Sequence, residues 1–279
     1  MRKQEIEKIE VDILLDAICR RYGYDFQNYA KASLKRRLSL LMETAKVNHL
    51  SEIIPRILHD EDYFNSFIME ISVTVTEMFR DPSFFHVFIQ HIIPILRTYP
   101  FIKIWHAGCA TGEEVYSMAI LLKEAGILDK TTIYATDINS HSIKCAREGI
   151  YKLENIDKYT ANYKKAGGKF SFSDYYYTKY QYVKMHDNLK KKIIFATHNL
   201  VCDGVFNEMH VIICRNVFIY FDKTLQNKAA LLFRDSLVNR GFLCLGTKET
   251  IEFLESENDF DCFSKKEKIF RKKTKTVAK

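Results

Sequence analysis

No Cys-x-x-Cys pair occurs in this 279-residue chain, and its seven cysteines are scattered and odd in number. Zinc and dithiol redox chemistry therefore have no motif to stand on, and reduced, buried thiols of a cytosolic protein are the reading that remains. No apolar run approaches the roughly 20 residues that a membrane-crossing helix needs. The opening MRKQEIEKIEVDILL lacks the charged–apolar–small order of a secretory leader. These absences predict a cytoplasmic chain with no metal and no membrane insertion.

Two phosphate-binding signatures are missing as well. Around Gly108 the chain reads AGCATGEE, so the three glycines of GxGxxG are not there, and no Lys-Ser/Thr pair follows Gly112. What stands there is an apolar run, Ile102 to Trp105, then small residues, then a helical stretch from Glu113. Strand, tight glycine turn and helix let a backbone approach a nucleotide-like ligand closely. Glu113 and Glu114 would repel phosphate. A cationic ligand with a sugar and a base, S-adenosylmethionine (SAM), fits the turn better than ATP. The same residues also suit an ordinary strand–helix connection.

Hydrophobic residues make up 47% of the chain, with 20 Phe and 16 Tyr, enough for a substantial core. Net charge is +7. Residues 265–279 carry eight Lys/Arg and one acid, and Lys35-Arg36-Arg37 forms a second basic knot. Both suit an acidic partner, but the plainer readings are a solvated, disordered end and a solvated helix face.

Residues 1–75 read as a helical domain. Ile6, Ile9, Val11, Ile13, Leu14, Ala17 and Ile18 give a helical apolar face, Gly23 breaks it, and Ser51 is placed to cap a helix over 52–58. Residues 76–98 read as a linker contributing to a ligand site, with a helix start at Asp81-Pro82 and core residues at Phe84 and Phe85. From residue 99 onward strands at 101–107, 131–136, 192–197, 209–215 and 241–246 alternate with helices at 113–125, 139–148 and 224–238. This predicts an α/β, doubly wound, mostly parallel sheet, with ligands outside the carboxyl ends of its strands. The informative residues are then those just past each strand: Gly108 and Glu113, Asp137, Asn199 and Leu200, and Arg215, Asn216 and Val217. A carboxylate such as Asp137 has acceptors for both ribose hydroxyls; it would also serve as a helix cap. Tyr176, Thr178, Tyr180 and Tyr182 alternate like a strand, giving a small antiparallel insertion at about 150–190. Edge-hairpin packing explains its tyrosines better than nucleic-acid stacking.

The motifs TVTEMFRDPSFF, AGCATGEEVYS, ATDIN, HNL and CRNVFIYFDK, in this order, make nearly the whole chain resemble the CheR family, SAM-dependent methyltransferases that esterify glutamates of bacterial chemotaxis receptors. The resemblance implies a class I SAM-dependent methyltransferase fold with an N-terminal all-helical domain and an inserted β-subdomain. It places SAM contacts on Thr74, Thr76, Arg80, Gly108, Glu113, Asp137, Asn199, Leu200, Asn216 and Val217. Thr74 departs from the Asn that several members carry, and Cys109 replaces a common Ala or Ser. Arg80 and Tyr220 are the catalytic candidates; no histidine is nominated, because an ionised glutamate needs no general base. The NPPY-type signature of amino-methylating enzymes is absent, with CRNVFIYF in its place. The expected partner is the helical cytoplasmic domain of a chemoreceptor, met by Lys35, Arg36 and Arg37, with the enzyme a monomer. With Gly167-Gly168 as the only local glycine pair, no strong tethering to a receptor tail is expected. The alternative is a non-catalytic SAM-binding adaptor.

Overall fold

The computed structural model describes residues 3–72, 76–200, 203–206 and 208–274. The first unit is helical. α1 (Lys3–Tyr22) stops where Gly23 adopts φ +75° and its N–H returns to the Cys19 carbonyl at 2.9 Å. α2 (Lys31–Ala45), α3 (Ile54–His59) and α4 (Glu61–Ile71) follow, and Asp60 caps α4 by accepting from the Tyr63 amide at 3.0 Å. Leu14, Ile18, Leu38, Ile57 and Phe67 meet in their common core. The expected apolar face of α1 is only half used: Leu14, Leu15 and Ile18 are buried, whereas Ile6, Ile9 and Ile13 are 44–51% exposed. Those three lie on another side of the helix, at a 3–4 residue spacing of their own. Ser51 is not a helix cap; its hydroxyl donates to Glu10 Oε1 at 2.6 Å, and Glu52 instead accepts from the His49 amide at 2.8 Å.

The stretch expected as a linker is built into the core. α5 (Pro82–Val87) starts at Pro82, a wider π-type turn spans Phe88–Ile92, and α6 (Ile93–Leu96) continues it. Pro94 has no N–H to close a regular turn there. Phe84, Phe85, Phe88 and Ile92 are fully buried against the sheet.

The sheet holds β1 (Ile102–Ala107), β2 (Thr131–Asp137), β6 (Ile193–Thr197), β7 (Met209–Cys214), β8 (Leu237–Leu245), β9 (Phe260–Ser264) and β10 (Ile269–Lys272), in the order β6-β2-β1-β7-β8-β10-β9. Only β10 runs against the others. β7, MHVIIC, is buried along its whole length, as a central parallel strand covered on both faces must be. α7 (Glu113–Glu124), α8 (Ser140–Glu148) and α11 (Lys223–Ser236) are crossovers; Leu225, Ala229, Ala230 and Phe233 form the buried stripe of α11. Asp222 caps α11 through the Leu225 amide at 2.9 Å.

Between α8 and β6 the chain inserts β3 (Ile150–Lys152), α9 (Ile156–Ala166), β4 (Tyr176–Lys179), β5 (Tyr182–Met185) and α10 (Asp187–Lys190), the strands forming an antiparallel sheet in the order β3-β5-β4. Tyr180 is not in a strand but in the turn between β4 and β5, at φ +54°. The basic tail is also corrected. Ile269 and Phe270 are buried and β10 fills the gap between β8 and β9, with Lys265, Lys266 and Lys268 in the turn that joins β9 to β10; residues 275–279 lie outside the described part. Cys109, Cys214 and Cys244 are buried thiols, while Cys262 is exposed. Among the described residues no helix is long and apolar enough to cross a membrane.

Candidate active site

β1 pairs with β2 on one side and β7 on the other, so the crossovers leave in opposite directions at its carboxyl end. That is where an open α/β sheet leaves a crevice. Here it is an open cleft, lined from the strand ends and from the helical unit.

The floor is the turn after β1. Gly108 sits at φ +83°, and a Cβ there would meet Val217 Cγ2 at 2.5 Å. Gly108 and Cys109 both donate to the Thr136 carbonyl at 2.8 Å. The turn is thereby tied to the end of β2 and packs directly against Val217. Asp137 is not the cap of α8; Asn139 is, accepting from the His141 and Ser142 amides. Asp137 instead accepts from Ala110 N at 2.8 Å and Asn139 N at 2.9 Å, which aims the carboxylate across the cleft floor. Burial raises its pKa, and these amide bonds pull partly back.

Thr76, Arg80, Gly108, Asp137, Asn199, Leu200, Asn216, Val217 and Tyr220 all line the cleft. Thr74 lies outside the described residues. Glu113 is the exception: it turns into the wall, 7% exposed, accepting from Thr111 Oγ1 at 2.7 Å, and burial pushes its pKa up to about 7. Its neighbour Glu114 lines the cleft in its stead. Burial would raise the Glu114 carboxyl, but Arg215 and His106 outweigh it and hold it below its ordinary value.

Several lining or supporting residues were not among the contacts expected from the sequence. Arg215 pairs with Glu114 at 2.7 Å and with Asp81 at 2.6 Å. Glu249, buried in the loop after β8, accepts from Gly246 N at 2.6 Å, Asn216 N at 2.9 Å and Ile219 N at 3.2 Å. It holds Asn216 at φ +62°. His198 is buried in the wall with its ring edge-on to Trp105 at 5.3 Å, and neither ring nitrogen has a partner among the described residues. Burial lowers its pKa and keeps it neutral. Arg215 stood inside the quoted CRNVFIYF motif; Glu249 and His198 carried no signal of spacing.

The roof comes from the helical unit. Phe26, Tyr29, Leu34, Arg37, Ile71 and Ser72 face the cleft. Tyr29 and Phe221 form a β-bridge, Ala30 N donates to the Tyr220 carbonyl at 2.7 Å, and Asp222 N donates to the Asn28 carbonyl at 2.9 Å. Arg37 donates to the Glu70 and Ser72 carbonyls at 3.0 and 3.1 Å. The basic knot is therefore split: Lys35 and Arg36 face solvent, and Arg37 turns to the cleft.

A parallel sheet with one reversed strand near its edge and a carboxylate-floored cleft at its switch point defines a class I methyltransferase fold. The family is narrower. The description "CheR methyltransferase, SAM binding domain" matches residues 74–269, and "CheR methyltransferase, all-alpha domain" matches residues 9–72. The chain belongs to the CheR methyltransferase family. It is 44% identical over 272 residues to a Pseudomonas putida protein provisionally named methyltransferase Cher3, covering 98% of this chain and 100% of that one. It is 30% identical to the chemotaxis protein methyltransferase of Borreliella burgdorferi over 88% of this chain and 89% of that one. Chemotaxis protein methyltransferase 2 of Pseudomonas aeruginosa is 31% identical, over 70% and 68%.

Proposed function

We propose that this protein methylates glutamate side chains of chemoreceptor cytoplasmic domains, with SAM as donor, giving glutamate methyl esters and S-adenosylhomocysteine. The observation that carries the reading is the convergence of Arg80 and Tyr220 with Asp137, Asn199 and Asn216 around one cleft. The residue types fit the donor. Asp137 offers acceptors for ribose hydroxyls, and Asn199, Leu200 and His198 flank the place for a base at the end of β6. Glu114, held ionised, suits an ammonium group. When bound, SAM supplies a methyl group activated by its sulfonium sulfur.

The chain's own task is alignment. A glutamate carboxylate is ionised at neutral pH, with an unperturbed pKa of about 4.3, so no base is needed. One carboxylate oxygen forms the new bond to the methyl carbon as the carbon–sulfur bond breaks, and the electron pair stays on sulfur. No proton moves, and opposite charges neutralise. Arg80, fixed in charge, and Tyr220 both line the cleft; Arg80 would orient the carboxylate and Tyr220 would wall its approach. The roof from the helical unit excludes water. Outside it, Arg36 and Lys35, the latter paired with Glu7 at 3.0 Å, are the exposed cations that an acidic receptor helix would meet.

The test is to incubate the protein with methyl-labelled SAM and a receptor cytoplasmic fragment, then treat the product with base. Volatile labelled methanol is expected, because a carboxyl methyl ester hydrolyses. Base-stable label would refute glutamate as the acceptor. An unlabelled receptor, with SAM bound in a parallel titration, would favour a binding module over an enzyme.

A further inference from the structure

Arg80 sits in a segment that few sequences adopt unaided. Its two neighbours, Phe79 and Asp81, are both in the left-handed region, at φ +54° and +55°, a conformation that costs a side-chain-bearing residue about 1 kcal/mol or more. Such a turn persists only where its surroundings over-determine it. On one side Ser117 Oγ accepts from the Phe79 amide at 2.9 Å, and Asn162 Nδ2 donates to the Met78 carbonyl at 3.2 Å. On the other side one guanidinium does the holding. Arg215 Nη2 donates to Asp81 Oδ2 at 2.6 Å, and its Nη1 donates to Glu114 Oε2 at 2.7 Å and to the Arg80 carbonyl at 3.3 Å. Its plane lies over Phe84 at 4.2 Å, and its side chain is 1% exposed.

We infer that Arg215 is a positioning residue that sets the Arg80 side chain against the cleft by clamping the Phe79–Asp81 turn to the first turn of α7. This deepens the reading under Proposed function and rests on it for Arg80's role. A planar fork makes the clamp possible: it reaches a carboxylate on each side and a carbonyl between them, which the single ammonium of lysine does not. The clamp joins the last residue of the turn to Glu114, so the substrate-facing arginine and the cofactor-facing carboxylate share one anchor.

The experiment uses Arg215→Lys and Asp81→Asn, each alone and combined with Arg80→Ala. Asp81→Asn loosens only the turn's side of the clamp at a partly exposed residue, and it serves should the Arg215 variant fold poorly. Two quantities are read. The first is amide hydrogen exchange of the 77–84 segment in the full chain without substrate. It should speed at least about tenfold in both single variants while the central strands keep their protection. The second is kcat for methyl transfer. It should fall on the order of tenfold to a hundredfold in each single variant, with the dissociation constant for SAM changed less than about threefold in Asp81→Asn, which leaves the Arg215–Glu114 pair in place. In the Arg80→Ala background the same substitutions should cost less than about twofold more. A purely structural role would lower thermal stability equally in both backgrounds and leave the kcat losses multiplicative. Multiplicative losses, or unchanged exchange in the 77–84 segment, would overturn the inference. A wild type that transfers no methyl to glutamate refutes the function instead, and the exchange result still decides the clamp.

Discussion

Burial costs a carboxylate several kcal/mol unless donors or cations answer it, and the carboxylates around this cleft are answered unequally. Asp137 has two backbone amides, Glu249 has three, and Glu114 has Arg215. Glu113 has the Thr111 hydroxyl, and its pKa stands at about 7 against an ordinary 4.5. Because the folded value lies above the unfolded one, protonated Glu113 favours the fold at low pH, and that contribution is lost as pH rises through 7. Glu113→Gln removes the dependence. Its stability relative to the wild type should rise by about 3 kcal/mol between pH 4 and pH 8, measured by urea unfolding; a difference that stays flat with pH would contradict the assignment. The sequence pointed to Glu113, whereas the acid that lines the cleft is Glu114. Glu113 and Glu114 are adjacent on α7 and about 100° apart around its axis, and only the packed structure settles which one turns inward.

At the scale of elements, the parallel strands and the helices between them were legible because a strand buried on both faces is an unbroken apolar run and a crossover helix shows its stripe. The reversed strand β10 was not, since Ile269 and Phe270 are its only buried apolar residues in a stretch dominated by lysine. The turn after β1 was legible through its glycines. Gly108→Ala would place a methyl group 2.5 Å from Val217 Cγ2 at φ +83°. It should cost about 2 kcal/mol in stability and weaken S-adenosylhomocysteine binding more than about tenfold, because both residues line the cleft. Denaturant unfolding and calorimetry check the two parts, and wild-type affinity in a folded variant would show that the close approach at Gly108 is not used.

At the scale of the molecule, the cleft belongs to two units at once: the sheet supplies its floor and the helical unit its roof. That was the least legible feature. Phe26, Tyr29, Leu34 and Ile71 read simply as apolar residues of a helical domain, and nothing in their spacing shows that the domain folds back over the strand ends. The seam gives a direct test. Ala30 has φ −57°, which proline also adopts, and its N–H donates to the Tyr220 carbonyl. Ala30→Pro deletes that bond and brings the ring Cδ against the Tyr220 oxygen, so the seam must part there. A loss of more than about 1 kcal/mol should weaken S-adenosylhomocysteine binding at least about fivefold if the roof must close on the ligand. Unchanged affinity would mean that the floor alone holds it.

The account stands on one cleft holding one ligand. The most direct measurement is a calorimetric titration of the protein with S-adenosylhomocysteine beside the same titration of Asp137→Ala. Saturable one-to-one binding by the wild type, weakened at least about a hundredfold in the variant as two hydroxyl bonds to a charged acceptor are lost, is the predicted result. No binding by the wild type, or equal binding by both proteins, would contradict the placing of the ligand at the carboxyl ends of β1 and β2.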